Sequence, residues 1–172
     1  MRTDEALVGE LACGSEEALR ELLRRYERAL AAFLVRHTGG RDVEDLYQET
    51  WLRVARQAGR FDPQRRFSTW LFQIALNQCR DWHRRRPPDP VDPAGLDVVA
   101  GPGAERTEAA LDASALLAIL PEPQREVVIL RYYHDLSEQE VADVVGCPVG
   151  TVKSRMHAAL ARMTAAVRRE RP

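Results

Sequence analysis

The stretch 136-LSEQEVADVVGCPVGTVKSRMHAAL-160 decides how the C-terminal part of this chain folds. Ser137 and Glu140 form the S-x-x-E pattern of a capping box, so a helix is predicted to begin there. Gly146 permits a tight turn, and a second helix is predicted to start at about Pro148. Two helices joined by such a short turn are typical of a helix-turn-helix.

The second helix of this motif has one apolar side and one polar side. Its predicted buried positions, spaced as on one helical face, are Val152, Met156, Leu160 and Met163. Its polar side near the N-terminus would present Thr151, Lys153, Ser154, Arg155 and His157. Lysine and arginine there can bond to guanine in the major groove or to phosphates, which favours a DNA recognition helix. A helical hairpin with a solvated basic face is the alternative.

The composition fits two small helical domains. The 172 residues are 45% apolar and 30% charged but only 6% aromatic, a balance typical of helical cores rich in Leu, Val and Ala. Compact helical units can be about half the length of a typical domain, so two units fit this chain. We therefore expect an all-α fold.

Charge is unevenly distributed although the net charge is only −1. The segment 60–86 has seven arginines against two acidic residues, and 87–112 has six acidic residues against Arg106. From Thr151 onward there are six basic residues against Glu170. Two basic segments therefore flank an acidic one, a pattern that indicates localised nucleic-acid contacts and not a uniformly basic coat.

Cysteine and histidine positions argue against a metal, a disulfide framework or a catalytic centre. Cys13, Cys79 and Cys147 lie far apart, and the histidines are scattered with no HExxH pattern. We expect no metal, no cofactor and no catalytic residue. The N-terminus lacks the features of a signal peptide, and no apolar run is long enough for a membrane span, so the expected location is cytoplasmic.

Three helices are predicted before the prolines at 87 and 88. The first follows the N-cap Ser15 and ends at Gly39, and the second follows Asp42 as N-cap and runs to about Ala58. The third starts at Ser68 or Thr69 and is stopped by the prolines. These helices would form a first domain over 1–87.

A linker and a second domain complete the predicted organisation. Five prolines, three glycines and several acidic residues within 87–103 indicate a flexible acidic linker, placed at 88–110. The second domain, 111–172, would contain a short helix over 111–120, another over 122–133, and the helix-turn-helix. The fold class is thus all-α, with two small helical domains joined by a Pro/Gly-rich linker.

Two separated stretches resemble the ECF type of bacterial RNA polymerase sigma factors. The stretch 120-LPEPQREVVILRYYHDLSEQEVADVVGCPVGTVKSRMHAALARM-163 is similar to that family's region 4, and 42-DVEDLYQETWLRVARQAGRFDPQRRFSTWLFQIALNQCRDWHRRR-86 is similar to its region 2. They occur in the family's order. The resemblance implies a non-enzymatic factor that binds core RNA polymerase and promoter DNA and directs transcription initiation.

The resemblance implies a polymerase-binding surface on the second predicted helix. In the family, the helix with the D-x-x-Q-E pattern docks on the clamp of the largest polymerase subunit, which implicates Asp45, Gln48, Glu49 and Leu52. The sequence there is acidic until Arg53, as suits a basic partner. A solvated acidic helix start, favoured by the helix dipole, is the alternative.

The same resemblance implies that the third helix and the loop before it read the minus-ten promoter element. Asn77 stands at the position of the family's base-contacting asparagine, and its amide can donate and accept hydrogen bonds. The candidates for phosphate contacts are Arg65, Arg66, Arg80, Arg84 and Arg85. For each arginine, the alternative to a phosphate contact is a solvated surface side chain that only contributes to solubility.

Two other residues near this site have competing interpretations. Trp70 invites base stacking, but it shares a helical face with Leu71 and Ile74, which favours core packing. Cys79 lies beside the proposed minus-ten site and could sense oxidants, although a small buried side chain is the favoured interpretation.

The helix-turn-helix of the family reads the minus-thirty-five element, which assigns that role to Thr151, Lys153, Ser154, Arg155 and His157. Many relatives have an aromatic residue in place of His157 and an arginine in place of Ala158, so their promoter sequence does not transfer. The resemblance implies that the linker threads through the polymerase, and a plain flexible spacer is the alternative. It also implies an anti-sigma factor as a partner. A repressor or activator that uses only the helix-turn-helix, without polymerase, is the alternative function.

Overall fold

A computed structural model describes residues 2–85, 113 and 115–170, and every regular element in these ranges is helical. The predicted linker, 88–110, lies outside the described residues. Residues 115–118 form a short helical segment within the helix predicted over 111–120. The longer helices are α1 (Asp4–Ala12), α2 (Glu16–Thr38), α3 (Val43–Gln57), α4 (Phe67–Arg85), α5 (Glu122–Tyr133), α6 (Glu138–Val145) and α7 (Val149–Glu170).

Helix α2 begins and ends as predicted. The Ser15 side chain accepts a hydrogen bond from the Ala18 backbone N–H, and Gly39 ends the helix with a left-handed φ of 64°. The structure also contains α1, which the sequence analysis did not predict. Thr3 caps α1 by accepting a hydrogen bond from the Ala6 N–H at 3.2 Å, and acidic residues follow it in the first turn.

The prediction that α3 follows Asp42 as its N-cap residue is confirmed, although the Asp42 side chain does not cap the helix. Asp42 does stand at the N-cap position, but it adopts a left-handed φ of 51° and makes no side-chain cap hydrogen bond. Its carboxylate accepts a hydrogen bond from the Trp82 indole N–H at 2.8 Å, which ties the start of α3 to the end of α4. A tertiary partner has therefore replaced the local one.

Helix α4 starts one residue before the predicted Ser68. The backbone N–H of Phe67 donates to the Glu5 carboxylate at 3.1 Å, so α1 satisfies a free donor at the start of α4. Phe67 is fully buried, and Trp70 packs beside it and against Phe61, with ring centroids 6.0 and 5.1 Å apart. The core-packing interpretation of Trp70 is confirmed.

The helix-turn-helix is confirmed in α6 and α7. Ser137 and Glu140 form both halves of the capping box, and Gly146 makes the turn with a φ of 77°. One predicted buried position is wrong: Leu160 is 42% exposed, and Ala159 beside it is fully buried. The 3.6-residue period of the helix places residue 159 directly two turns beyond Val152, so the small alanine faces the core.

Both groups of helices share one continuous apolar core. Helix α4 packs against α6, and α2 against α5, so the two predicted domains lie in contact. This packing brings the minus-ten candidates close to the helix-turn-helix. Within the described residues, no helix combines the length and the apolar composition needed to cross a bilayer.

Candidate nucleic-acid interface

Helix α3 presents its four predicted polymerase contacts on one face. The spacing of i, i+3, i+4 and i+7 aligns them, and Leu52 is 49% exposed although it is a large apolar residue. Glu49 is partly exposed and pairs with Arg53 at 3.1 Å, which holds the pKa of the Glu49 carboxyl below its ordinary value. The surface, which we call the α3 face, therefore combines acidic groups with one apolar side chain. Its members are Asp45, Gln48, Glu49 and Leu52.

Asn77 lies exposed on α4, at the edge of a cleft between α4 and the C-terminal helices. The cleft has a volume of about 790 Å³. Its lining mixes basic and acidic groups, namely Asn77, Arg80, Asp81, His83, Arg84, Glu122, Pro123, Glu126 and Arg155. A residue from each predicted DNA-reading surface, Asn77 and Arg155, thus lies on the same cleft.

Arg80 is held by a carboxylate from the other group of helices. Its Nε and Nη2 donate to the two oxygens of Glu126 on α5, both at 2.8 Å, and Nη1 and Nη2 donate to the Val145 carbonyl at 3.3 Å. Glu126 is 3% exposed. The Glu126 hydrogen bond raises the pKa of Arg80 above its ordinary value. Glu126 is not recognisable as part of this site from the sequence, because nothing local marks a glutamate that lies opposite an arginine 46 positions away.

The other predicted phosphate contacts are dispersed. Arg66 pairs with Glu140 of α6 at 2.8 Å, and Arg84 pairs with Asp81 on its own helix. Arg65 lies in the loop before α4. Arg85 lines a different groove, of about 580 Å³, together with members of the α3 face. Only Asn77, Arg80 and Arg84 therefore share the cleft.

The recognition helix α7 exposes most of its predicted contacts. Lys153 is exposed and lies 3.4 Å from Glu138, and the Ser154 hydroxyl donates to the Thr151 carbonyl at 3.0 Å. His157 is exposed as well, and Thr151 is partly so. Arg155 differs, because it turns toward the cleft and lies 3.9 Å from the Cys147 sulfur.

Histidines that are far apart in the sequence meet between the two groups of helices. His134 packs on Phe72, with ring centroids 4.3 Å apart, and His37 packs on Phe33 at the same distance. Burial lowers the pKa of His37 to about 3 and that of His134 to about 4, and His83 Nε2 lies 2.8 Å from the His37 carbonyl. Within the described part of the chain, no three His, Cys, Asp or Glu side chains are arranged to hold a metal ion.

Cys79 is a buried structural residue. It is 1% exposed, and burial raises the pKa of its thiol to about 12. Because the thiolate is the species that oxidants attack, these conditions oppose a sensing role. The interpretation of Cys79 as a buried side chain is confirmed.

Comparisons with known proteins match both groups of helices. The family description Sigma-70 region 2 matches residues 22–87, and Sigma-70, region 4 matches residues 111–163. The ECF RNA polymerase sigma-E factor of Haemophilus influenzae is 32% identical over 169 residues, covering 90% of this chain and 89% of the relative. The corresponding factor of Escherichia coli K12 is 31% identical, with 90% and 88% covered.

Solved structures show the same fold. CnrH, in complex with the cytosolic domain of CnrY, aligns with a TM-score of 0.76 and 29% identity, covering 97% of this chain and 98% of CnrH. The sigma factor RpoE of Bartonella quintana, in complex with the anti-sigma factor NepR, aligns with a TM-score of 0.73, covering 88% of this chain and 98% of RpoE. At 23% identity, the second likeness concerns the fold alone.

The helical fold and its two matched regions define a protein of the sigma-70 class, with a region 2 before a region 4. Within that class, the similarity over nearly the whole chain decides the family. The chain belongs to the ECF family of RNA polymerase sigma factors.

Proposed function

We propose that this sigma factor holds core RNA polymerase through the α3 face and reads its promoter through two further surfaces, one on α4 and one on α7. The observation that carries the proposal is the order of the two family matches, residues 22–87 followed by 111–163. A protein that uses only a helix-turn-helix has no need of the first region.

The α3 face docks on a basic helical partner in the polymerase. Asp45 and Glu49 supply charge complementarity, which speeds association and excludes acidic surfaces. Leu52 is the apolar anchor, because a large side chain that is 49% exposed gains most from being covered. Gln48 lies between them and donates a long hydrogen bond of 3.5 Å to Glu44. Its amide can exchange this weak bond for one to the polymerase.

The α4 surface captures the unpaired minus-ten strand. The exposed Asn77 amide bonds to an extruded base, while Arg80 and Arg84 from the same cleft neutralise phosphates. Arg65 and Arg66 extend the basic surface into the loop, and Arg85 bonds to a phosphate from the neighbouring groove. Extruding a base costs a few kcal/mol, least where the duplex opens easily. The contacts made with the captured base and its phosphates offset this cost, so promoter opening needs no ATP.

The α7 surface reads the minus-thirty-five duplex. Lys153, Ser154 and His157 project outward from the N-terminal half of α7, where recognition helices place their base contacts. Arg155 joins them once it leaves the cleft, and Thr151 supports them near the helix start. The factor acts in the cytoplasm beside polymerase and DNA, it performs no catalysis, and it needs no cofactor.

An anti-sigma factor controls the protein. The sigma factor RpoE of Bartonella quintana was co-crystallised with the anti-sigma factor NepR, and the CnrH structure is of its complex with the cytosolic domain of CnrY. A partner of the same kind would bind this chain and keep it from polymerase. Its identity is a question for pull-down experiments with the full chain.

The proposal is tested by run-off transcription with purified core RNA polymerase and a promoter library. We expect transcripts that depend on the factor and start at a defined distance from a shared two-part sequence. The matched control is Asp45→Lys, which should give fewer transcripts than wild type when the factor is limiting, while the protein stays folded. If no template is transcribed in a factor-dependent way, and the chain binds an operator stably by itself, the repressor or activator alternative replaces this one.

A further inference from the structure

We infer that Glu138 of α6 is a positioning residue for the proposed DNA contact Lys153, and that it makes the α7 surface more selective for its own minus-thirty-five sequence. The inference rests on the proposed function and adds a residue to that surface. The Glu138 carboxylate lies 3.4 Å from the Lys153 ammonium group, so this ion pair joins the two helices of the helix-turn-helix.

Both members of the ion pair stand on well-held backbone. Glu138 lies in the first turn of α6, directly after the capping box that Ser137 makes with Glu140. Lys153 follows Val152, which is fully buried in the core. The side chains of Glu138 and Lys153 are themselves 48% and 61% exposed, so DNA can reach them. The pair therefore has a defined place on the DNA-reading side of the motif.

A lysine without such a partner reads sequence poorly. Its ammonium group is a point charge on a flexible stem, and phosphates attract it wherever they lie. Phosphate contacts add affinity for every duplex and carry no sequence information. An ammonium group has three N–H donors, so one directed at Glu138 leaves two for the O6 and N7 acceptors of a guanine. Pairing with Glu138 thus favours base reading by Lys153 over phosphate binding.

The carboxylate also adds a repulsive element to the α7 surface. In helix-turn-helix complexes the first helix crosses the DNA backbone, while the second helix enters the major groove. Because α6 is the first helix here, a carboxylate at its start opposes the approach of phosphates unless a cation neutralises it. Lys153 does so only while its ammonium group stays beside α6. Duplexes that offer no base acceptor at that place are consequently disfavoured, which raises specificity.

The test uses Glu138→Gln, which removes the charge and keeps the length of the side chain. The matched control is Asp143→Asn, because Asp143 is exposed on the same helix and its carboxylate accepts a hydrogen bond from Gln139 at 3.1 Å. Both substitutions remove one negative charge from α6, so they share the general electrostatic effect on DNA binding. Each is also made in a Lys153→Met background, where the side chain at 153 has no charge.

The first measurement is fluorescence anisotropy of a short random-sequence duplex, titrated with each full-length chain over a range of salt concentrations. Glu138→Gln should bind this duplex up to about fivefold more tightly than Asp143→Asn, which corresponds to the strength of an exposed ion pair. Its slope of log K against log salt should steepen by about 0.9, since the released lysine neutralises one more phosphate. In the Lys153→Met background the two substitutions should have equal effects.

The second measurement is transcription by core polymerase with each variant, from a promoter library randomised at the minus-thirty-five element, followed by sequencing of the transcripts. We expect Glu138→Gln to weaken the base preference at one position of the element, whereas Asp143→Asn keeps the wild-type preference. If Glu138 served only to complement the dipole of α6, its substitution would lower the unfolding free energy and leave the base preference unchanged.

Three outcomes overturn the inference. The first is equal affinity of Glu138→Gln and Asp143→Asn for the random duplex, and the second is an unchanged base preference in the sequenced transcripts. The third is a difference between the two variants that persists in the Lys153→Met background. Any of these results together with factor-dependent transcription by wild type rejects the role of Glu138 alone. Absence of such transcription by wild type rejects the proposed function, and the inference with it.

Discussion

Acidification should destabilise this protein before its carboxylates are protonated, because His37 is buried and His134 is half-buried where the two groups of helices meet. Burial is the main cause of the lowered pKa values, about 3 for His37 and about 4 for His134. Arg125 lowers the first further, and Arg36 lowers the second. The unfolded chain takes up protons at the ordinary histidine pKa of about 6.5, so it binds more protons than the folded chain below that pH.

The sign and size follow from this difference. The histidine contribution to stability is complete above about pH 6.5 and is lost as the pH falls toward the folded-state values. At about pH 5, each histidine is almost fully protonated only in the unfolded chain, which costs about 2 kcal/mol, or about 4 kcal/mol for both. Such a loss is a large part of the stability of a typical domain, about 5–15 kcal/mol.

Urea denaturation followed by circular dichroism at several pH values would measure the effect. The informative variant is His134→Leu, which keeps an apolar side chain against Phe72 and cannot titrate. We expect the fall in unfolding free energy between about pH 7.5 and pH 5 to shrink by about 2 kcal/mol in the variant, roughly half of the wild-type fall. Equal pH dependence in the two proteins, or a wild type that gains stability on acidification, would refute the reasoning.

Three substitutions probe the remaining assignments. Ser137→Ala should lower the unfolding free energy by about 1 kcal/mol in urea denaturation, because the Glu140 backbone N–H loses its acceptor. Asn77→Ala should weaken promoter opening, measured by the permanganate reactivity of unpaired thymines. Core binding should stay unchanged, since the amide contacts only the extruded base. Asp45→Lys should weaken binding to core polymerase by about tenfold in a fluorescence titration, because it reverses a charge on the α3 face.

Each of these substitutions has a control. Ser137→Thr retains a capping hydroxyl and should recover most of the lost stability, so equal loss in both variants would contradict the capping role. Asn77→Ala and Asp45→Lys serve as controls for each other, since the first should spare core binding and the second should weaken it. If both lower core binding equally, the separation of the α4 surface from the α3 face is wrong. Glu16→Lys, on the exposed side of α2, measures the effect of a charge reversal elsewhere.

Local signals were sufficient for most of the helices. The capping box at Ser137 and the glycines at Gly39 and Gly146 are determined by neighbours within a few residues, and the structure agrees with them. The apolar period of α7 correctly placed Val152 in the core but wrongly placed Leu160 there. Helix α1 had a local signal too, in Thr3 and the acidic residues after it. It was missed because a nine-residue helix has only a weak apolar pattern.

Other features depended on partners distant in the chain. Asp42 occupies the N-cap position that the sequence predicts, but its side chain accepts a hydrogen bond from Trp82, 40 residues later. Arg155 looked like a free DNA contact, but the packing of α7 turns it toward the cleft beside Asn77. Propensity and periodicity describe a residue's own helix and contain no information on which other helix will lie against it.

The sequence by itself determined the helical class, the helix-turn-helix and the family, because capping, periodicity and motif order are properties of neighbouring residues. The tertiary structure alone decided that Glu126 meets Arg80 and that a buried His37 lies near a half-buried His134. Those contacts arise from the packing of α4 and α2 against α6 and α5, which buries charged and titratable groups in a shared core. The availability of the promoter-reading side chains is thus a property of that packing and not of any one segment.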